Sequence, residues 1–184
     1  CSTGGVLSKG TQVGTPQYTV EELEALVDEA HSHGLRVASH AHGAEGIRNA
    51  LQAGVDTVEH ASFIDEEGIR LAKKNGAFLG MDIYVTEFIL DEGESKGVLA
   101  ESLAKERMTG ETQRENFRKA HAAGVKMIYS TDAGVYPHGH NARQLSRMVA
   151  FGMTPLQALR SATVNSAEAL GQGDRLGRLA AGYR

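Results

Sequence analysis

The chain has 184 residues, enough for one domain with a real core, and its 41% hydrophobic and 23% charged residues exclude intrinsic disorder. A formal net charge of -4 without a long basic run excludes the usual surface for nucleic acid or an anionic membrane. No apolar stretch reaches the roughly 18 residues of a spanning helix, and the single Cys excludes an internal disulfide.

Gly4 and Gly5 open a loop that runs to about Gln17. Thr19 then reads as a helix N-cap with Glu22 completing a capping box. Leu23, Leu26, Val27 and Ala30 form the apolar stripe of that helix, and Gly34 ends it. Leu35 to Ala41 is a short apolar run, as expected of a buried parallel strand. A helix over about Ala44 to Ala53 stops at Gly54, and Val55 to Glu59 forms the next strand. Asp65 caps a helix from Glu66 to Asn75, closed by Gly76, and Ala77 to Met81 follows as a third strand. A longer charged helix covers Ala100 to Ala123, and Val125 to Ser130 is the fourth strand. Two helices, near Asn141 to Phe151 and Pro155 to Leu170, end the ordered pattern.

Strands alternating with helices imply right-handed crossovers and a parallel sheet. An open doubly wound sheet and part of a (β/α)8 barrel both fit. No Gly-rich phosphate fingerprint follows a strand, which disfavours a nucleotide-binding sheet. A whole barrel takes about 250 residues, so four strands amount to half of one.

The polar residues fall at corresponding places. His40 and His42 close the first strand, His60 the second and Asp132 the fourth. The carboxyl ends of parallel strands form the active-site face of such folds. Imidazoles with a carboxylate suit zinc or a similar divalent ion, which turns water into a nucleophile near neutral pH. A neighbouring carboxylate can move the proton to a leaving amine. One such histidine alone reads as a solvated or packed residue; candidates at three strand ends do not. His31, His33 and His121 lie late in helices, where the dipole favours a solvated cation.

The stretches VASHAHG (37–43), VEHAS (58–62), MDIY (81–84) and STDAGVYPHGHN (130–141) resemble the amidohydrolase superfamily, in its imidazolonepropionase-related, Xaa-Pro dipeptidase-like branch. The resemblance implies a partial (β/α)8 TIM barrel, about strands 5 to 8 with their helices. It implies His40, His60 and Asp132 as ligands of one or two divalent metals, with zinc expected, and Asp132 as the catalytic proton shuttle. Tyr84 looks like the catalytic group that contacts the scissile carbonyl or its oxyanion. His42 and His138, with Tyr84, look like substrate-binding residues. Residues 1–171 correspond to the C-terminal half of the barrel and 172–184 to the start of a return to a β-domain. The family's first-strand HxH pair is absent, and its fourth-strand Lys would lie just before Cys1.

The expected activity is metal-dependent hydrolysis of an amide or peptide C–N bond, in dipeptides with a C-terminal proline or hydrophobic residue. A cyclic amidohydrolase such as imidazolonepropionase and a non-catalytic metal-binding half-domain are the alternatives. The expected partners are a small-molecule amide or dipeptide and either a second copy of the chain or an N-terminal half of the same protein. No nucleic-acid or membrane partner is expected. Nothing marks a compartment, and the cytoplasm is the default expectation.

Overall fold

Thr19 starts the first helix as its sequence context dictates. Its hydroxyl accepts from the Glu22 amide at 3.3 Å, and Glu22 Oε2 accepts from the Thr19 amide at 2.9 Å. The computed structural model describes residues 1–184. Helix α1 (Val20–Ser32) is followed by β1 (Ala38–Ala41), α2 (Ala44–Gln52), β2 (Thr57–His60), α3 (Glu66–Asn75) and β3 (Phe78–Gly80). Then come α4 (Val85–Glu92), α5 (Ala100–Ala122), β4 (Lys126–Met127), α6 (Arg143–Ala150), α7 (Pro155–Arg160) and α8 (Ser166–Ala169).

All four strands are parallel and lie in the order β1-β2-β3-β4. A doubly wound sheet reverses its strand order at a switch point. This sheet follows chain order throughout, so it is a sector of a (β/α)8 barrel. The register sets His40 beside Glu59 and Ala41 beside His60, so side chains at successive strand ends emerge at one level.

The helix-side face of the sheet holds the core. Val58, Leu79, Ile47, Leu51, Phe117 and Met148 are fully buried there. The other face carries Glu59, whose carboxylate accepts from Thr57 Oγ1 at 2.7 Å and Ser130 Oγ at 2.8 Å. Gly80 makes room for it, since a Cβ there would meet Glu59 Oε2. A ribbon of residues 2–4 and 14–17 runs beside β1. The Ser2 amide donates to the His40 carbonyl at 2.8 Å and the Gln17 amide to the Ser2 carbonyl at 3.0 Å.

The structure corrects three expectations from the sequence. Every strand is shorter at one or both ends; β4 retains only Lys126–Met127 of the expected 125–130. Helix α4 lies in a stretch to which the sequence assigns no element. Its N-cap is Tyr84, with no side-chain cap bond, so no capping signal announces it. The expected helix 155–170 is interrupted by a π-turn over Ser161–Asn165. Asn165 Nδ2 donates there to the Met127 carbonyl at 2.8 Å, and the Ser161 carbonyl accepts from the Tyr129 amide at 3.2 Å. That turn exchanges regular helix bonds for attachment to the last strand. Residues 172–184 form turns and bends without a strand.

Two outcomes follow from this packing. Gly43 and Gly14 touch backbone to backbone, and a Cβ on Gly43 would overlap the Gly14 carbonyl. Gly43→Ala therefore lowers stability by about 1–3 kcal/mol, the usual cost of overpacking, read as a shift in denaturation midpoint. Edge strands and exposed Leu35, Leu156, Leu159, Leu170 and Leu179 invite pairing with other surfaces. Light scattering of an isolated 1–184 chain is expected to report species larger than a monomer; a stable monomer at micromolar concentration refutes this.

Candidate metal centre and cavity

Each chemically active side chain leaves the carboxyl end of a strand or the loop just beyond it. His40 is in β1 and His42 two residues on; His60 ends β2; Asp82 lies two residues past β3; Asp132 lies in the loop after β4. All five line one cavity of about 310 Å³, together with Gly5 to Ser8 from the first loop. The three imidazoles pack as a cluster, with ring centroids 4.6 to 4.9 Å apart. Two overlapping donor triplets result, His40–His42–His60 and His60–Asp82–Asp132, whose ligand atoms lie within 4.8 Å of one another. His60 belongs to both.

The backbone bends to bring this about. His60 (φ 68°), Ala61 (φ 46°) and Asp132 (φ 50°) all adopt the left-handed region that non-glycine residues avoid. Backbone bonds hold the turn after β2, the Ala61 amide donating to the Ala41 carbonyl at 3.0 Å and the Phe63 amide to the His42 carbonyl at 2.8 Å. Strained residues of this kind gather at functional sites.

Asp82 is the buried anchor, 2% exposed. It accepts from His60 Nδ1 at 3.0 and 3.1 Å and from Gln113 Nε2 at 3.0 Å. Gln113 also donates to the His60 carbonyl at 3.1 Å. Burial opposes charge on both partners, but their mutual attraction outweighs it. His60 is pushed up to about 9, and the Asp82 carboxyl is held below its ordinary value. His40 and His42 move the other way. Burial first, then the neighbouring imidazoles, lowers them to about 4 and about 3. His42 Nδ1 shares a 2.8 Å hydrogen bond with Ser62 Oγ. Asp132 keeps an exposed side, and partial desolvation within the cavity, then the Asp82 charge, raises it against the pull of His60.

The donor set suits a divalent cation. Two imidazoles stay neutral at pH 7, as ligation requires. His60 has Nδ1 committed to Asp82, the carboxylate–histidine arrangement that orients a ligating imidazole and leaves Nε2 free. Asp132 adds a carboxylate at the cavity mouth.

Sequence reasoning missed two parts of this site. One is Asp82, in the MDIY stretch beside Tyr84; its position just past a strand end was the available signal. The other is the inner face of α5, where Glu106, Thr109, Gly110, Gln113 and Asn116 are buried. Their spacing of three and four residues is helical, but on polar residues it resembles a solvated face. Asn116 Nδ2 donates to the Ser62 carbonyl at 2.9 Å, so α5 fastens both the end of β2 and the loop after it. Two predicted residues lie outside the cavity lining. Tyr84 is 5% exposed, packs edge-on to Tyr136 with ring centroids 5.1 Å apart, and accepts from Arg143 Nη1 at 2.9 Å. His138 is exposed on the loop after β4. Of the helix-end histidines, His31 lies 2.9 Å from Asp56 and His33 lies 3.0 Å from Glu29, both far from the cavity.

Residues 1–184 match the Amidohydrolase family in full. The chain belongs to that family. A solved Xaa-Pro dipeptidase with methionine in its active site is 40% identical with a TM-score of 0.91, covering 99% of this chain and 45% of that one. The ochratoxinase of Aspergillus niger is 35% identical over 185 residues, 99% of this chain and 38% of that protein. The imidazolonepropionase of Chromobacterium violaceum is 30% identical over 174 residues, 90% of this chain and 37% of that protein. This amidohydrolase chain thus spans less than half the length of each.

The opposed histidine shifts set a pH profile for the metal-free protein. The folded values of His40 and His42 lie below the ordinary 6.5, so their contribution is present above pH 6.5 and fades as pH falls toward about 4 and about 3. The folded value of His60 lies above 6.5, so its contribution is present below pH 6.5 and fades as pH rises through about 9. The melting temperature of chelator-treated protein is therefore expected to be highest near neutrality. Asp82→Asn removes the partner that raises His60 and flattens the alkaline limb. An alkaline limb unchanged in that variant contradicts the pairing.

Proposed function

We propose that the protein containing this chain hydrolyses an amide or peptide C–N bond in a small substrate, with a dipeptide ending in proline or a hydrophobic residue as the favoured class. The convergence of three imidazoles and two carboxylates at the carboxyl ends of parallel strands carries this reading. Likeness to an Xaa-Pro dipeptidase and to a prolidase complexed with N-methylphosphonate-L-proline, 32% identical with a TM-score of 0.90, supports the dipeptide class. The 310 Å³ cavity suits a ligand of that size.

His40, His60 and Asp132 would hold one or two ions; His40 and Asp132 fall in different donor triplets that meet at His60, so one ion held by all three requires the two triplets to draw together. Zinc is favoured by the imidazole-rich set. When bound, such an ion supplies Lewis acidity and lowers the pKa of water. The protein residues do the rest. Asp82 and Gln113 fix the His60 ring and its tautomer. Asp132, shifted upward from its ordinary value, accepts the proton of the attacking water and returns it to the leaving amine. Val6, Leu7, Val85 and Ile89 line the same cavity and receive an apolar side chain.

Metal analysis and a screen of dipeptides and N-acyl amino acids on the full-length protein test the proposal. Absence of bound divalent metal together with absence of amide hydrolysis ends it. Asp132→Asn keeps the fold and is expected to lower kcat by at least about 100-fold, the ordinary contribution of a positioned base. Tyr84→Phe separates the sequence assignment from the geometry. An oxyanion-stabilising hydroxyl would cost about 10²–10³-fold, whereas the packed, Arg143-bound hydroxyl seen here predicts turnover close to wild type.

A further inference from the structure

Glu106 stands apart from the machinery described above. It lines the cavity from α5, and also a neighbouring cleft with Arg107, Arg114 and Arg118, with none of which it forms an ion pair, yet it is only 4% exposed. It belongs to neither donor triplet. Arg114, whose charge is felt at Glu106, is committed elsewhere. Its guanidinium donates to the Ile83 carbonyl at 3.3 and 3.4 Å and pairs with Glu87 at 3.3 Å. The neighbouring Thr86 hydroxyl favours the charged form of Glu106, but it is buried and reaches no partner in hydrogen-bonding geometry. Gly110 is what leaves room for both groups. A Cβ there would collide with the Thr86 methyl and stand 3.1 Å from Glu106 Oε1. A buried carboxylate without a counter-charge is costly unless something pairs with it.

The rest of the lining indicates which ligand group would do so. Three carboxylates, Asp82, Glu106 and Asp132, face the cavity, and no Lys or Arg does. Asp82 is engaged by His60 and Gln113. Asp132 has the proton-transfer role proposed above. Glu106 is therefore the unassigned acid, and Val85 and Ile89 of α4 supply apolar surface in the same cavity. We infer that Glu106 is a specificity residue that receives a cationic group of the substrate, the free α-ammonium of a peptide whose first residue is apolar. This deepens the hydrolase reading and rests on it for the word substrate. Burial pushes Glu106 up to about 7, the shift an ammonium beside it would reverse by favouring the carboxylate.

Calorimetry with L-methionine and N-acetyl-L-methionine on the metal-loaded full-length protein tests the inference. The two ligands differ in whether they carry the cation. Wild type is expected to bind methionine about tenfold or more tightly than its acetylated form, the scale of one charge-assisted hydrogen bond. Glu106→Gln keeps the shape, removes the charge and erases that preference. For a Met-Pro dipeptide it raises KM about tenfold or more with little change in kcat, and Glu106→Asp recovers part of the loss. Equal wild-type affinity for the two ligands overturns the inference without any variant. So does a Glu106→Gln protein that weakens both ligands alike or loses kcat alone. A wild-type enzyme that cleaves dipeptides without discriminating the amine refutes the role of Glu106 and leaves the hydrolase reading standing. A wild type that discriminates in calorimetry but cleaves no amide does the reverse.

Discussion

The ion pair between His60 and Asp82 is the constraint on which the site is built. Asp82 is nearly sealed from solvent, and a buried carboxylate persists only if protein donors replace the water it leaves. His60 and Gln113 supply those donors from two different elements. The ends of β2 and β3 and the middle of α5 are thereby held in one place. Removing His60 leaves an uncompensated buried charge, which typically costs about 3–5 kcal/mol when a buried pair loses one partner, whereas removing Gln113 costs one hydrogen bond to that charge.

Part of that interaction energy is stored as backbone strain. His60, Ala61 and Asp132 each sit in the left-handed region, at a cost of order 1–3 kcal/mol per residue. Relaxing His60 would swing its ring away from Asp82, and relaxing Asp132 would move its carboxylate from the cavity mouth. The Ala61 and Phe63 amides tie the strained turn to the carbonyls of β1 and of the loop after it. Sheet, turn and side-chain network thus support the same geometry, and none of the three alone would hold it.

The sheet and most helices were legible in the sequence because their signals are local. Thr19 with Glu22, Asp65 before α3, and glycines closing α3 and α5 are short-range patterns with a direct physical cause. The strand-end histidines were legible for the same reason, being polar residues set at the close of apolar runs. The positions of Tyr84 and His138 were not, because they depend on how α4, α6 and the loop after β4 pack. Tyr84 is drawn into the small cluster with Phe88, Leu103 and Tyr136, which a sequence pattern cannot distinguish from an exposed strand-end residue. The α5 stripe was hidden by a different rule. Helix patterning looks for apolar faces, and Glu106, Thr109, Gln113 and Asn116 bury a polar one.

That polar face explains why a 23-residue helix with little apolar character can be stable against the sheet. Gln113 and Asn116 donate to backbone carbonyls at the end of β2 and just beyond it and to Asp82, so their burial replaces water bonds with equivalent ones. Phe117 and Ala120, fully buried one turn further on, add the apolar contact that isolates those bonds from competing solvent. Glu106 lies on the same face but makes no equivalent bond. Gln113 of this helix fixes His60 and Asp82 and Asn116 holds the Ser62 carbonyl, which leaves Glu106 as the charged position of α5 that lines the cavity. Local stability does not explain an acid there, since an apolar residue would pack at less electrostatic cost. The cost is explained if a ligand completes the pair. The three acids of the cavity thus divide by contact, with Asp82 bound to protein, Asp132 standing among the donors and Glu106, on the inference above, open to a ligand.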